Sequence, residues 1–161
     1  MSAITRKIVV AAAAAAAVIG IGIGAARAQD AHQAAEATYK DIEATLGLVP
    51  GFFKAFPEAG IPGAWAEFKQ VQGSDKTALP PKVKQLIGLA VSAQVPCAYC
   101  IYFHTAVAKA YGASDEEIKE AVALAAITRH WSTVLNGMQV DLPTFKKEID
   151  TSLAMAARKS N

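Results

Sequence analysis

Residues 80–118 read PPKVKQLIGLAVSAQVPCAYCIYFHTAVAKAYGASDEEI and predict three consecutive helices with short connections. Pro81 suits the first turn of a helix, where its missing N–H removes no hydrogen bond. Gly112 suits the position just after a helix end, where glycine readily adopts the left-handed conformation. Ser114 and Glu117 then form the capping-box pattern that begins a further helix. Pro81 and Ser114 thus mark the starts of two helices, and Gly112 marks the end of the helix between them.

Apolar residues at helical spacing extend this pattern on both sides of the segment. Three more helices are predicted: one from Ala31 to Leu46, one that begins near Pro62, and one that begins at Leu142. The predicted fold class is therefore all-α, a compact bundle of about six helices joined by short loops. Composition agrees, because alanine supplies much of the 53% hydrophobic content while aromatic residues make up only 7%.

The fifth of these helices is apolar on every side between residues 121 and 127, where it reads AVALAAI. A helix at the surface of a globular protein needs only one apolar stripe. We therefore expect this segment to be buried, either in the core of the chain or at an interface between subunits.

The first 28 residues read as a secretory signal peptide that is removed. Arg6 and Lys7 form a short basic start, and an uncharged apolar run follows them. Ala26 and Ala28 then place small residues where a cleavage site requires them. The alternative is that the apolar run stays as a membrane anchor, and contact with a membrane is expected only in that case.

After cleavage, residues 29–161 are expected to form a single all-helical domain in the periplasm or outside the cell. Loss of Arg6, Lys7 and Arg27 would leave 13 basic residues against 14 acidic ones, a net charge of −1 instead of +2. Such a chain lacks the excess of lysine and arginine with which proteins bind nucleic acid. Nucleic acid is therefore excluded as an expected partner.

Two cysteines and a histidine carry the clearest chemistry in the sequence. At about 100° per residue, Cys100 lies about 60° and His104 about 20° from Cys97, so all three share one helix face. A thiolate is the nucleophile of thiol chemistry, and a neighbouring thiol can convert the resulting sulfenic acid into a disulfide. The spacing predicts a thiol-dependent peroxidase or disulfide oxidoreductase that needs no bound cofactor.

The spacing leaves open which of the two cysteines attacks the substrate. Cys97 lies at the helix start, where unpaired backbone N–H groups and the helix dipole stabilise a thiolate. Cys100 lies one turn before His104, whose imidazole can accept its proton.

Zinc binding is an alternative use of the same residues. Cys97, Cys100 and His104 would supply three ligands, and His130 is available as a fourth. In that case the chain would be a zinc-binding structural or binding protein and not a redox enzyme.

Three runs between residues 79 and 127, LPPKVKQLI, Cys-x-Tyr-Cys-Ile-x-x-His and YGASDEEI, resemble the carboxymuconolactone decarboxylase / alkyl hydroperoxidase D-like family. Residues 47–53, GLVPGFF, are similar to the peroxidase-related members of that family. The resemblance implies an alkyl hydroperoxidase D-like helical fold, assembly as trimers or hexamers, and antioxidant or peroxidase activity through the cysteine pair. It also implies that Cys100 attacks the peroxide, that Cys97 resolves the sulfenic acid, and that His104 belongs to a proton relay.

Gln85 marks a departure from the pattern of the family. The relay of the family includes a glutamate about 12 residues before the first cysteine, and Gln85 occupies that position here. An amide forms hydrogen bonds but does not shuttle a proton at ordinary pH. We therefore expect slow peroxidase turnover or a different substrate, and an exported protein needs a thiol reductant other than cytoplasmic carriers. A non-redox alternative is activity on a small organic ring compound, as in the decarboxylase branch.

Overall fold

The computed structural model describes residues 27–159, and all regular secondary structure in that range is helical. Helix α1 covers residues 27–46. The elements that follow are α2 (Gly51–Lys54), α3 (Ile61–Glu67), a π-helical turn (Phe68–Gln72), α4 (Pro81–Gln94), α5 (Ala98–Ala110), α6 (Asp115–Gly137) and α7 (Leu142–Lys159). The prediction of an all-α fold is confirmed. The described residues form two compact units, one that ends at Ser74 and one that begins at Asp75.

The first unit is built around a small apolar core. Its buried residues are Ala35, Ile42, Phe53, Ile61 and Trp65. Ala35 and Ile42 lie two turns apart on α1, so their side chains share one face of that helix. The rings of Phe53 and Trp65 meet edge to face with centroids 5.5 Å apart, an arrangement that aromatic quadrupoles favour. Aromatic packing therefore joins α2 to α3.

The second unit contains the cysteine motif and is organised by α4, which packs against both α5 and α6. The predicted boundaries are confirmed: Pro81 is the first residue of α4, Gly112 follows α5 with φ +79°, and Ser114 caps α6. Ser114 Oγ accepts the Glu117 N–H at 3.1 Å, and the Glu117 carboxylate accepts the Ser114 N–H at 2.8 Å. The capping box is therefore complete in both directions.

The apolar segment 121–127 of α6 is not buried within the chain, which contradicts one of the two locations expected for it. Val122, Leu124 and Ile127 are 40%, 55% and 53% exposed, whereas Ala125 is buried at 7%. Helix α6 packs against α4, and a helix that is covered along one side leaves its remaining apolar surface exposed. Burial in the core of the chain was therefore wrong, and burial at a subunit interface stays a prediction.

Most of the predicted signal peptide, residues 1–28, lies outside the described residues, so its removal stays a prediction. Within residues 27–159, no helix has both the length and the apolar character that a membrane crossing requires. The division into a signal segment and one domain over residues 29–161 likewise stays a prediction.

Replacing Ser114 by alanine removes the acceptor for the Glu117 N–H at the start of α6. We expect the free energy of unfolding to fall by about 1 kcal/mol, the usual value of a lost N-cap side chain. Urea denaturation followed by circular dichroism measures this difference. Ser152→Ala, at an exposed position inside α7, is the matched control and should change stability little. An equal fall in the free energy of unfolding in both variants would contradict a specific role of Ser114 as the cap of α6.

Candidate functional site

The connection between α4 and α5 fixes Cys97 at the start of α5. The Cys97 N–H donates to the carbonyl of Ser92 at 3.1 Å, and the backbone of Cys97 is extended, with φ −99° and ψ 98°. Its Sγ accepts the N–H of Cys100 at 3.2 Å. The sulfur thus takes the place that a serine or aspartate oxygen commonly occupies at an N-cap. It therefore lies at the positive end of the helix dipole.

Cys97 and Cys100 are joined by a disulfide, and their Cα atoms are 5.3 Å apart. Both residues are half-buried. The tyrosines that alternate with them along the motif, Tyr99 and Tyr102, are 90% and 79% exposed. The two cysteines are therefore partly exposed and not sealed inside the core.

His104 lies one turn after Cys100 on α5 and binds α4 through Gln85. Its Nδ1 is 2.8 Å from Gln85 Oε1, so the Nδ1–H group donates to the amide oxygen. Gln85 is only 2% exposed, and a buried amide oxygen needs such a donor. This tautomer leaves Nε2 with a lone pair that can accept a proton.

Burial lowers the pKa of His104 below its ordinary value of about 6.5. The hydrogen bond from Nδ1 does not reverse this effect, because Gln85 is an uncharged amide and gives an imidazolium no opposite charge. His104 is therefore neutral at neutral pH, and its Nε2 can act as a base.

The four residues predicted for the site form two linked pairs. Cys97 is bonded to Cys100, and His104 is hydrogen-bonded to Gln85. Within residues 27–159, no hydrogen bond joins His104 to either cysteine. Both sulfurs are in the disulfide, so neither carries a thiol proton that His104 could accept. Proton transfer from Cys100 to His104 therefore stays a prediction for the reduced protein.

Ser92 is a neighbour of the site for which no role was predicted from the sequence. It is 3% exposed, its carbonyl oxygen accepts the Cys97 N–H, and its Oγ donates to the carbonyl of Gly88 at 2.6 Å. The signal for its place was the spacing from Gln85, because residues seven apart on a helix share a face. The same side of α4 thus contacts both linked pairs.

The ligand set considered for zinc is not assembled. Among residues 27–159, no group of three or more His, Cys, Asp or Glu side chains is arranged to hold a metal ion. The two sulfurs are bonded to each other. His130 is exposed on α6, with its ring 5.4 Å from that of Trp131. The geometry therefore gives the zinc alternative no support.

Comparison with known proteins identifies relatives of this chain. The sequence pattern of the carboxymuconolactone decarboxylase family matches residues 60–141. This chain belongs to that family. The structure is also similar to the alkylhydroperoxidase AhpD core from Rhodospirillum rubrum, with a TM-score of 0.60 and 29% sequence identity over 68% of this chain and 83% of that one. No curated protein matches the chain.

Membership of the carboxymuconolactone decarboxylase family confirms the resemblance seen in the sequence. The matched region, residues 60–141, includes Gln85, both cysteines and His104. The candidate site therefore lies in the part of the chain that matches the family.

Replacing Gln85 by glutamate should raise the pKa of His104. A carboxylate that accepts the Nδ1–H group stabilises the imidazolium, so we expect a rise of about 1 pH unit or more. Titration of the His104 ring by NMR measures this value. Gln70→Glu, at an exposed position outside the site, is the charge-matched control and should leave the His104 titration unchanged. An unchanged pKa in Gln85→Glu would contradict the contact between the two side chains.

Proposed function

We propose that this protein is a thiol-dependent peroxidase or disulfide oxidoreductase with Cys97 and Cys100 as its redox pair. The observation that carries the proposal is a partly exposed disulfide at the start of α5 with a neutral imidazole, His104, one turn further along. A disulfide that closes so short a loop stabilises a fold less than a long-range bridge would. A redox role therefore accounts for the pair better than a structural one. The similarity to a solved alkylhydroperoxidase supports peroxide as the substrate class.

In the oxidative half of the reaction, Cys100 attacks one oxygen of the peroxide, the role that the family resemblance gives it. His104 Nε2 takes the thiol proton and returns it to the departing oxygen, which leaves as an alcohol or as water. The O–O bond breaks and an S–O bond forms, which makes Cys100 a sulfenic acid. Cys97 then attacks that sulfur and expels water. The peroxide gains two electrons and the thiol pair loses two as the disulfide forms.

In the reductive half, an external thiol opens the disulfide. Cys97 is the better leaving group, because its Sγ already accepts the Cys100 N–H at 3.2 Å at the positive end of α5. The external thiolate therefore bonds to Cys100 and releases Cys97 as a thiolate. A second external thiol then frees Cys100, and the two external thiols leave as a disulfide. The expected partners are a peroxide or disulfide substrate and a thiol reductant.

Gln85 sets the expected rate of this chemistry. Its amide holds the His104 ring in one tautomer but gives no opposite charge to the imidazolium that forms when the ring takes the thiol proton. We therefore expect slower turnover than a carboxylate at this position would allow. For the same reason, Gln85→Glu should speed the oxidation of the thiols at neutral pH.

The reaction of the reduced protein with peroxide tests the proposal. We expect hydrogen peroxide or an organic peroxide to remove both thiols of the wild-type chain within minutes, as counted with a thiol reagent. Cys100→Ser should keep its remaining thiol over that time. Cys97→Ser should instead form a sulfenic acid at Cys100 that persists and reacts with a sulfenic-acid trap, because no second thiol is present to resolve it.

Two outcomes would contradict this reading. If wild-type thiols react with a labelling reagent but not with peroxide or a small disulfide, the redox function is wrong. If Cys100→Ser retains full activity on a small organic ring compound, the chain acts through the non-redox chemistry of the decarboxylase branch.

We also propose that the protein is exported to the periplasm or beyond and acts as a homo-oligomer, with no nucleic-acid partner. The sequence of residues 1–28 supports export. The family resemblance supports a trimer or hexamer, and an exposed apolar groove gives the assembly a surface.

The groove runs between α4 and α6 and consists of two cavities of about 550 and 320 Å³ that share Ala90 and Leu124. Four of its large apolar side chains are 48% to 64% exposed: Ile87, Val91, Val95 and Leu124. A continuous apolar surface of this kind is uncommon on a monomer and typical of an interface. A second copy of the chain would bury it and would also account for the apolar segment 121–127.

Replacing Leu124 by lysine should break this assembly. Light scattering of the wild-type protein should give a mass that is a multiple of the mass of one chain. Leu124→Lys should shift the measured mass towards that of one chain, because an unpaired charge buried at the interface is destabilising. Leu153→Lys, at a 65% exposed leucine of α7 outside the groove, is the matched control and should keep the wild-type mass. Dissociation of the control alone would contradict the groove as the interface.

A further inference from the structure

Gly88 lies on α4, one turn after Gln85, against the imidazole ring of His104. A Cβ atom built on Gly88 would be 2.3 Å from Cε1, 2.5 Å from Nδ1 and 2.7 Å from Nε2 of that ring. Side-chain carbons do not approach other atoms so closely, so the ring occupies the space that any other residue would fill. A Cβ on Gly63, in α3, would meet no such neighbour within 4 Å.

The backbone does not require glycine at this position. The described glycines with positive φ are Gly47 and Gly112, so Gly88 has a conformation that other residues also adopt. Gly88 instead lies in the interior of α4 (Pro81–Gln94), where glycine is less favourable than alanine. Gly88 therefore matters because it has no side chain, which leaves space for the His104 ring.

The side of α4 that carries Gly88 also holds the rest of the site. Gln85 accepts the His104 Nδ1–H at 2.8 Å, three residues before Gly88. Ser92 lies four residues after Gly88. Its Oγ donates to the Gly88 carbonyl at 2.6 Å, and its backbone carbonyl accepts the Cys97 N–H at 3.1 Å. One strip of α4 thus contacts both the imidazole and the backbone of the redox pair.

We propose that Gly88 is a positioning residue for the redox reaction, because its missing side chain lets the His104 ring lie against α4 and donate to Gln85 while Nε2 stays free as a base. The inference rests on the thiol chemistry proposed above. A methyl group at position 88 must displace the ring. The ring ends a side chain with two rotatable bonds, so it moves more easily than two packed helices do.

The first test observes the ring directly in the oxidised protein. In Gly88→Ala, ¹⁵N NMR of the His104 imidazole should show loss of the single Nδ1–H tautomer. The pKa of His104 should also move up towards its ordinary value as the ring leaves its buried place. Circular dichroism should stay that of the wild type. Gly63→Ala, the matched glycine-to-alanine control, should change neither His104 signal.

The second test links the ring to the chemistry. In the reduced protein, Gly88→Ala should slow the peroxide-driven loss of thiols by about 10- to 100-fold at neutral pH, the range that misplacing a reacting group produces. In a His104→Ala background, Gly88→Ala should cause no further loss, because the two changes act through the same ring. An additional loss in that background would overturn the proposal.

The outcomes separate this inference from the function on which it rests. An unchanged His104 NMR signature in Gly88→Ala overturns the positioning role, whatever the peroxide result. A wild-type protein inert to peroxide overturns the redox function, although the ring geometry can still be read by NMR. If Gly88→Ala unfolds by itself but folds with His104→Ala, the conflict between the methyl group and the ring is established. Unfolding in both backgrounds overturns the proposal.

Discussion

The hydrogen bond from His104 to Gln85 is the contact on which the site depends. Gln85 is 2% exposed, and an amide buried to that extent is destabilising unless its oxygen and N–H₂ group find partners. The partner of the oxygen is an imidazole on α5, so satisfying the amide also fixes the register of α5 on α4. The same bond selects the His104 tautomer. The contact that packs α5 on α4 therefore also leaves Nε2 of His104 with an unshared lone pair.

Much of the fold is predictable from the sequence, because its helix ends are marked by local chemistry. Pro81 at a first turn, Gly112 in a left-handed conformation and Ser114 in a capping box act within a few residues of themselves, and all three occur as predicted. The π-helical turn Phe68–Gln72 has no such local signal. The exposure of residues 121–127 was also not predictable, since it depends on which neighbours one chain supplies to α6.

Part of the candidate site is likewise predictable from the sequence, and part is visible only in the structure. The common face of Cys97, Cys100 and His104 follows from spacing on one helix, whereas Gln85 came from resemblance to a family. The contact between Gly88 and the His104 ring is visible only in the structure, because a glycine in a helical sequence does not indicate which side chain packs against it. Contacts across two helices depend on their relative rotation, and a linear pattern does not encode that angle.

Cys97 is at once the cap of α5 and half of the disulfide. A free thiolate accepts a hydrogen bond at least as well as a disulfide sulfur does, so the Cys100 N–H keeps an acceptor in both oxidation states. In the redox cycle proposed above, the first turn of α5 would thus keep its cap in both oxidation states. Under the proposed chemistry, the cysteine pair can therefore open and close without loss of the hydrogen bond that begins α5.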